Sequence, residues 1–209
     1  MLKFRFAEQG ADSLEAIDSP LVNLPNKLTL LRLGLTAVFV ACLTVEFPFS
    51  RTIALVVFVL ATLSDYLDGV LARRLGLITD FGKLMDPLAD KILTAAAFIC
   101  LIPTVPAWVV IVIISREFLI TGLRLLASSK GIVLPAERLG KHKTGWQMAT
   151  ILFFLLLLAV KDWPGLMSGP SLSFSSGVLA PLLIGITVIL TVYSGIAYLW
   201  KNRTLIQGH

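Results

Sequence analysis

Residues 52–103 read TIALVVFVLATLSDYLDGVLAR (52–73), RLGLITDFGKLMDP (74–87) and LADKILTAAAFICLIP (88–103). Two apolar runs are joined by a polar stretch, and four aspartates bracket the junction: Asp65 and Asp68 on the first run, Asp86 and Asp90 around the start of the second. Spacings of three and four put each pair on one face of its helix. Folded as a hairpin, the two helices turn the pairs toward each other and make a four-carboxylate cage. An uncompensated carboxylate in or near a bilayer is costly, so four of them point to an interior cavity and a bound cation.

Oxygen donors with neither Cys nor His favour a hard ion such as Mg²⁺, Mn²⁺ or Ca²⁺ over zinc or copper. Magnesium is the first expectation, because it keeps coordination positions open for substrate phosphates, and a pair of ions can clamp both oxygens of a displacement at phosphorus. Gly69 and Ala72 leave room for a ligand to approach the same helix, and Arg73 can grip phosphate oxygens bidentately. The plainer alternative pairs Asp65 and Asp68 with Arg73, Arg74 or Lys91 at the membrane boundary and gives Gly69 and Ala72 to helix packing.

The rest of the chain fits a membrane setting. Of 209 residues, 56% are hydrophobic and 15% charged, and the mean hydropathy is +0.87, far from the balance of a water-soluble domain. Apolar stretches near 28–47, 52–73, 88–103, 106–127, 145–161 and 176–200 predict an all-α, polytopic bundle of six transmembrane helices spanning 25–209. Proline and glycine mark the turns at Pro48, at Pro103 and Pro106, and at Pro164 and Gly165. Residues 1–24 form a juxtamembrane segment: acids mixed into the first 18 residues leave no signal-peptide core, so a surface helix or a disordered tail is expected. Cys42 and Cys100 lie in apolar runs and read as buried packing residues. The net charge of +5 comes without the aromatic-interleaved basic stretches of a nucleic-acid module, which leaves anionic lipid and phosphate-bearing substrates as its partners.

Lys and Arg are distributed very unevenly between the two ends of the predicted bundle. The end holding the N-terminus carries Lys3, Arg5, Lys27, Arg32, Arg73, Arg74, Lys83, Lys91, Arg124, Lys130, Arg138, Lys141, Lys143, Lys201 and Arg203, and the other end only Arg51 and Lys161. The positive-inside bias then puts both termini, and the polar links 73–90 and 128–144, on the cytoplasmic side, where a soluble substrate would enter. Arg116 falls inside an apolar span, and Lys141 and Lys143 stand at the entrance of the fifth, so the three could hold one phosphomonoester. Otherwise Arg116 pairs with Glu117 or a neighbouring acid and the lysines are ordinary interfacial anchors. Glu117 and Arg124, seven apart, share a helical face and could interact directly or through a third group. His142 reads as solvated, and Trp108 and Trp163 as interface aromatics. Asn26 and Thr29 could cap the first helix.

The pattern D-x2-D-G-x2-A-R-x8-G-x3-D-x3-D, matched at every position from Asp65 to Asp90, resembles the signature of the CDP-alcohol phosphotransferase family. That resemblance implies a six-helix membrane fold, a homodimer, and two metal ions, Mg²⁺ or Mn²⁺, held by Asp65, Asp68, Asp86 and Asp90. It implies a CDP moiety bound over Asn26, Thr29, Asp68, Gly69, Ala72, Arg73 and Gly82, with Asp90 as the general base that deprotonates the acceptor hydroxyl. Pro25-Asn26-Lys27-Leu28-Thr29 with Arg32, Arg116-Glu117 with Arg124, and Gly140-Lys141-His142-Lys143-Thr144 with Gln147 extend the likeness over about residues 25–150. They resemble the bacterial branch that joins CDP-diacylglycerol to sn-glycerol 3-phosphate in phospholipid biosynthesis at the cytoplasmic (inner) membrane, with Arg116, Lys141 and Lys143 as the acceptor-phosphate pocket. Related cardiolipin and phosphatidylinositol phosphate synthases share parts of these motifs, so another acceptor is the nearest rival. A prenyltransferase would carry two separated Asp-rich motifs on a longer bundle, and a divalent cation transporter could also use intramembrane carboxylates. The last sixty residues read as merely apolar.

Overall fold

A computed structural model describes residues 24–75, 80–129, 131–132, 134, 138–163, 165 and 170–203, with backbone alone at 24–28, 65–75, 80–87, 90, 138–139, 141 and 170–176. The described residues form six helices and no strand: α1 Leu24–Thr44, α2 Ser50–Leu75, α3 Asp80–Cys100, α4 Ala107–Ser129, α5 Arg138–Val160 and α6 Pro170–Lys201. Of the juxtamembrane segment 1–24, residues 1–23 lie outside the described residues and Leu24 opens α1.

Each described connection has a local cause. Pro25 falls in the first turn of α1, where an amide hydrogen has no helical acceptor to lose. The α1–α2 turn closes when the Ser50 N–H donates to the Phe47 carbonyl at 3.1 Å, and Phe49 holds φ at +61°, the sign a type II turn demands after Pro48. Between α3 and α4 the Leu101 carbonyl accepts from the Thr104 and Val105 amides at 2.8 and 2.7 Å. At the end of α4 the Gly131 N–H donates to Ser128 O (3.0 Å) and the Ile132 N–H to Ala127 O (2.9 Å), the paired bonds of a Schellman cap. That cap places its C′ residue in the left-handed region, and Gly131 takes φ +73° there at no steric cost.

The chain divides into two compact units, 1–39 with 56–93 and 40–55 with 94–209. In the first, the Phe39 and Phe58 rings pack with centroids 5.5 Å apart, and Ala61, Ala89 and Leu93 are buried. Thr29, Arg32 and Thr36 are buried as well; their spacing of three and four makes them a polar stripe along α1. In the second unit α6 packs along both α5 and α4, with Ile120, Leu123 and Tyr198 forming a small core against Leu134 and Leu199.

The α6 helix has its polarity inside out. Thr187, Thr191, Ser194 and Tyr198 are buried, Thr191 completely, while Ile189 is 67% and Trp200 71% exposed, with Val192 and Ile196 exposed between them. In water that arrangement is the reverse of what burial favours; against lipid tails it is the expected one. Two stretches, His142–Val160 and Gly177–Lys201, are long and apolar enough to cross a bilayer, and the chain is a membrane protein. Thr29–Thr44, Ser50–Ser64 and Lys91–Cys100 are shorter apolar helices, and α4 carries Arg116, Glu117 and Arg124 within its length.

Candidate functional site

The named residues of the acidic motif sit on helical backbone. Asp65, Asp68, Gly69, Ala72 and Arg73 belong to α2, and Gly82, Asp86 and Asp90 to α3, so the expected spacings of three and four are helical ones. Their side chains lie outside the described residues, as do those of Asn26 and Lys141. The donor chemistry fits a hard divalent cation, since four carboxylates supply oxygen alone. Among the described residues no group of three His, Cys, Asp or Glu is placed to hold a metal ion. Thr29, expected near the nucleotide, is 2% exposed on α1.

In the second unit three helices build a charged cluster. The Arg116 guanidinium on α4 lies with Nη1 at 3.4 Å from Glu117 Oε1, and Lys143 on α5 sends its Nζ to the same carboxylate oxygen. From α6, Ser194 Oγ accepts a hydrogen bond from Arg116 Nη2 at 3.2 Å. The Lys143 side chain is 2% exposed and those of Arg116 and Glu117 are 14% and 18%. Two cations thus converge on one anion in a poorly solvated place, where each electrostatic contact is stronger than it would be in water. Sequence reasoning offered phosphate binding and pairing with Glu117 as alternatives for Arg116; the structure shows the pairing and adds Lys143 to it.

Below that cluster α5 and α6 are joined by buried polar groups. Thr150 Oγ1 and Thr187 Oγ1 are 2.8 Å apart, Gln147 Nε2 donates to Thr191 Oγ1 at 3.5 Å, and Thr187 Oγ1 also donates to the Trp146 carbonyl at 3.4 Å. Polar groups removed from water must find partners, and here they find them across the helix interface. The last sixty residues are therefore more than apolar filler, which corrects the sequence reading. Thr187, Thr191, Ser194 and Tyr198, spaced four, three and four, were the available signal.

The remaining candidates fall out individually. Arg124 turns to Tyr198 rather than Glu117, its Nε 3.3 Å from the phenolic oxygen. His142, Trp108 and Trp163 are exposed as expected. Cys42 is buried but Cys100 only partly so, and both are free. Arg51, one of the two cations assigned to the sparse end, meets Asp162, next to the other, with Nη1 to Oδ1 3.6 Å. Asp162 Oδ2 also accepts from the Thr52 amide (2.8 Å) and hydroxyl (3.0 Å), Trp163 Nε1 donates to Thr52 Oγ1 (3.2 Å), and the Phe49 and Trp163 rings lie 5.2 Å apart. The α1–α2 and α5–α6 turns thus meet.

Residues 22–194 match the sequence profile of the CDP-alcohol phosphatidyltransferase family, further along the chain than the motifs alone reached. The chain is 40% identical to the CDP-diacylglycerol--glycerol-3-phosphate 3-phosphatidyltransferase of Bacillus subtilis (strain 168) over 194 residues, 86% of this chain and 95% of the relative. It is 32% identical to the protein of that name from Rickettsia bellii (strain RML369-C) over 181 residues, 84% of this chain and 93% of the relative. With a Mycobacterium tuberculosis (strain ATCC 25618 / H37Rv) protein named "Probable phosphatidylglycerophosphate synthase" it shares 36% identity over 193 residues, 90% and 85% of the two chains.

Proposed function

The chain belongs to the CDP-alcohol phosphatidyltransferase family, and from that membership we propose that it transfers the phosphatidyl group of CDP-diacylglycerol to sn-glycerol 3-phosphate, giving phosphatidylglycerophosphate and CMP. Relatives at 32–40% identity over most of both chains carry the name of that enzyme. That shared name is the observation that carries the choice of a phosphate-bearing acceptor, and Arg116 and the buried Lys143, gathered on Glu117, are the cations beside which a phosphate would sit.

In this reading Asn26, Thr29, Asp68, Gly69, Ala72, Arg73 and Gly82 hold the cytidine diphosphate part of the donor. Two Mg²⁺ or Mn²⁺ ions held by Asp65, Asp68, Asp86 and Asp90 would supply positive charge for the diphosphate and the departing CMP. Asp90 takes the proton of the acceptor's hydroxyl, whose oxygen then bonds to the β-phosphorus of the donor. The bond from that phosphorus to the bridging oxygen breaks, and CMP leaves with its electron pair. Arg116, Lys141 and Lys143 hold the acceptor's phosphate and thereby orient its free hydroxyl.

We read the six helices as six spans, 25–209 as one domain preceded by a juxtamembrane segment, and both termini and the active site as cytoplasmic in a bacterial inner membrane. The meeting of Arg51 and Asp162 supports placing the α1–α2 and α5–α6 turns at one end, and the scarcity of Lys and Arg there supports the orientation. The family resemblance implies a homodimer. The test is CMP release by the purified, detergent-solubilised protein with CDP-diacylglycerol, Mg²⁺ and one acceptor at a time. Turnover with glycerol 3-phosphate alone is expected. Selectivity for phosphatidylglycerol, inositol 1-phosphate or serine would overturn the acceptor, and no CMP from folded protein with any acceptor would overturn the chemistry.

A further inference from the structure

Arg116 does not reach its place unaided. Its stem crosses α6 at Gly195, where an added Cβ would stand 3.1 Å from Arg116 Cγ and 3.9 Å from Nε. The first distance is tighter than ordinary carbon contacts, so any side chain at 195 must displace the arginine stem or the helix. One residue earlier, the Ser194 hydroxyl donates its hydrogen to the Thr191 carbonyl at 3.1 Å. Its only hydrogen is thereby committed, and its lone pairs are left to accept from Arg116 Nη2 at 3.2 Å. Glu117 takes the other terminal nitrogen, Nη1, at 3.4 Å. The guanidinium is a planar fork, so holding both terminal nitrogens fixes its tilt as well as its position.

We propose that Ser194 and Gly195 are positioning residues for Arg116: Gly195 opens the passage for its stem, and Ser194 sets the plane of the guanidinium that receives the acceptor's phosphate. This rests on the reading of Arg116 as a phosphate-holding group. Ser194 touches no reacting atom; it acts through Arg116, and its loss weakens acceptor capture selectively. Bidentate contact with a phosphate needs both N–H directions aligned, and a guanidinium free to swing pays that ordering on each binding event.

The experiment is a double-mutant cycle on the full chain in detergent, reading kcat/KM separately for glycerol 3-phosphate and CDP-diacylglycerol. Ser194→Ala should lower kcat/KM for glycerol 3-phosphate about tenfold or more, in keeping with one lost hydrogen bond to a charged group, and leave that for CDP-diacylglycerol within about twofold. Gly195→Ala should act in the same direction. In an Arg116→Ala background, Ser194→Ala should have no further effect, because its only route of action is gone. An equal loss for both substrates, or the same loss with and without Arg116, would assign Ser194 a general packing role and overturn the proposal. If Arg116→Ala itself leaves glycerol 3-phosphate kinetics unchanged, the phosphate-holding reading fails first; if Arg116→Ala is selective and Ser194→Ala is silent, the positioning inference alone fails. Should Gly195→Ala not fold, the Ser194 cycle decides by itself, since it removes one oxygen and adds no volume.

Discussion

Replacing Asp162 separates a helix cap from an ion pair. Its Oδ2 accepts the Thr52 amide at 2.8 Å and the Thr52 hydroxyl at 3.0 Å. That amide lies in the first turn of α2, where helical geometry offers no acceptor. The Asp162 side chain is only 8% exposed, whereas that of Arg51, 3.6 Å away, is 40% exposed. A lost cap costs about 1 kcal/mol, and a hydrogen bond to an ionised group about 1.5–3 kcal/mol. The Arg51 ion pair, largely solvated, adds about 0–1 kcal/mol. Asp162→Ala should therefore destabilise by about 2–3 kcal/mol, which for a chain of this size lowers the melting temperature by about 5–10 °C. Arg51→Ala should cost about 1 kcal/mol or less, and Asp162→Asn, which keeps a carbonyl oxygen for the Thr52 amide, should fall between the two. The assay is thermal unfolding of the purified protein in one detergent at one scan rate, since unfolding of such proteins is often irreversible and the midpoint then depends on rate. If Arg51→Ala proves as damaging as Asp162→Ala, the ion pair dominates and the capping argument is wrong.

Three further outcomes follow from the same geometry. Glu117→Gln strips the shared anion from Arg116 and Lys143, so the variant should lose about 3 kcal/mol, and inorganic phosphate should raise its melting temperature more than that of the wild type; an equal or smaller shift would deny the cluster an anion-binding role. Asp90→Asn should reduce CMP release by about 10²-fold or more while CDP-diacylglycerol still binds in a calorimetric titration; full turnover would remove the base. Thr150→Val breaks the 2.8 Å contact with Thr187 and should cost only about 0.6 kcal/mol, because the helices can find other partners in the membrane; a loss several times larger would show that the α5–α6 polar contacts act as one unit.

What could be read in the sequence divides along a physical line. The six helices of the described residues and the approximate places of the turns between them were legible, since apolar length and proline signal them directly. Their ends were not: the spans expected at 88–103 and 145–161 became α3 from Asp80 and α5 from Arg138, and the polar links 73–90 and 128–144 proved helical at 73–75, 80–90, 128–129 and 138–144. A hydropathy window finds the part of a helix that suits lipid, while the helix itself continues into polar sequence wherever its backbone bonds can be kept. Arg116 was singled out as a charge within an apolar span and Lys143 as a cation at the entrance of another, but the contact of Lys143 with Glu117 could not be read, because a spacing of 26 residues says nothing until α4 and α5 are placed together.

The polar face of α6 shows why the search for charge was too narrow. Thr187, Thr191, Ser194 and Tyr198 carry no charge and lie in the most apolar part of the chain, so composition hides them; only their helical period distinguishes them from scattered hydroxyls. In a soluble helix such a period would mark the solvent face. In this chain the solvent is lipid, so the same period marks the inside, and it leads along α6 from the Thr150–Thr187 contact to Ser194 and the Arg116 guanidinium. For a membrane chain of this kind, the polar stripe on an otherwise apolar helix indicates where the interior lies, and the charged cluster it leads to indicates where to look for substrate.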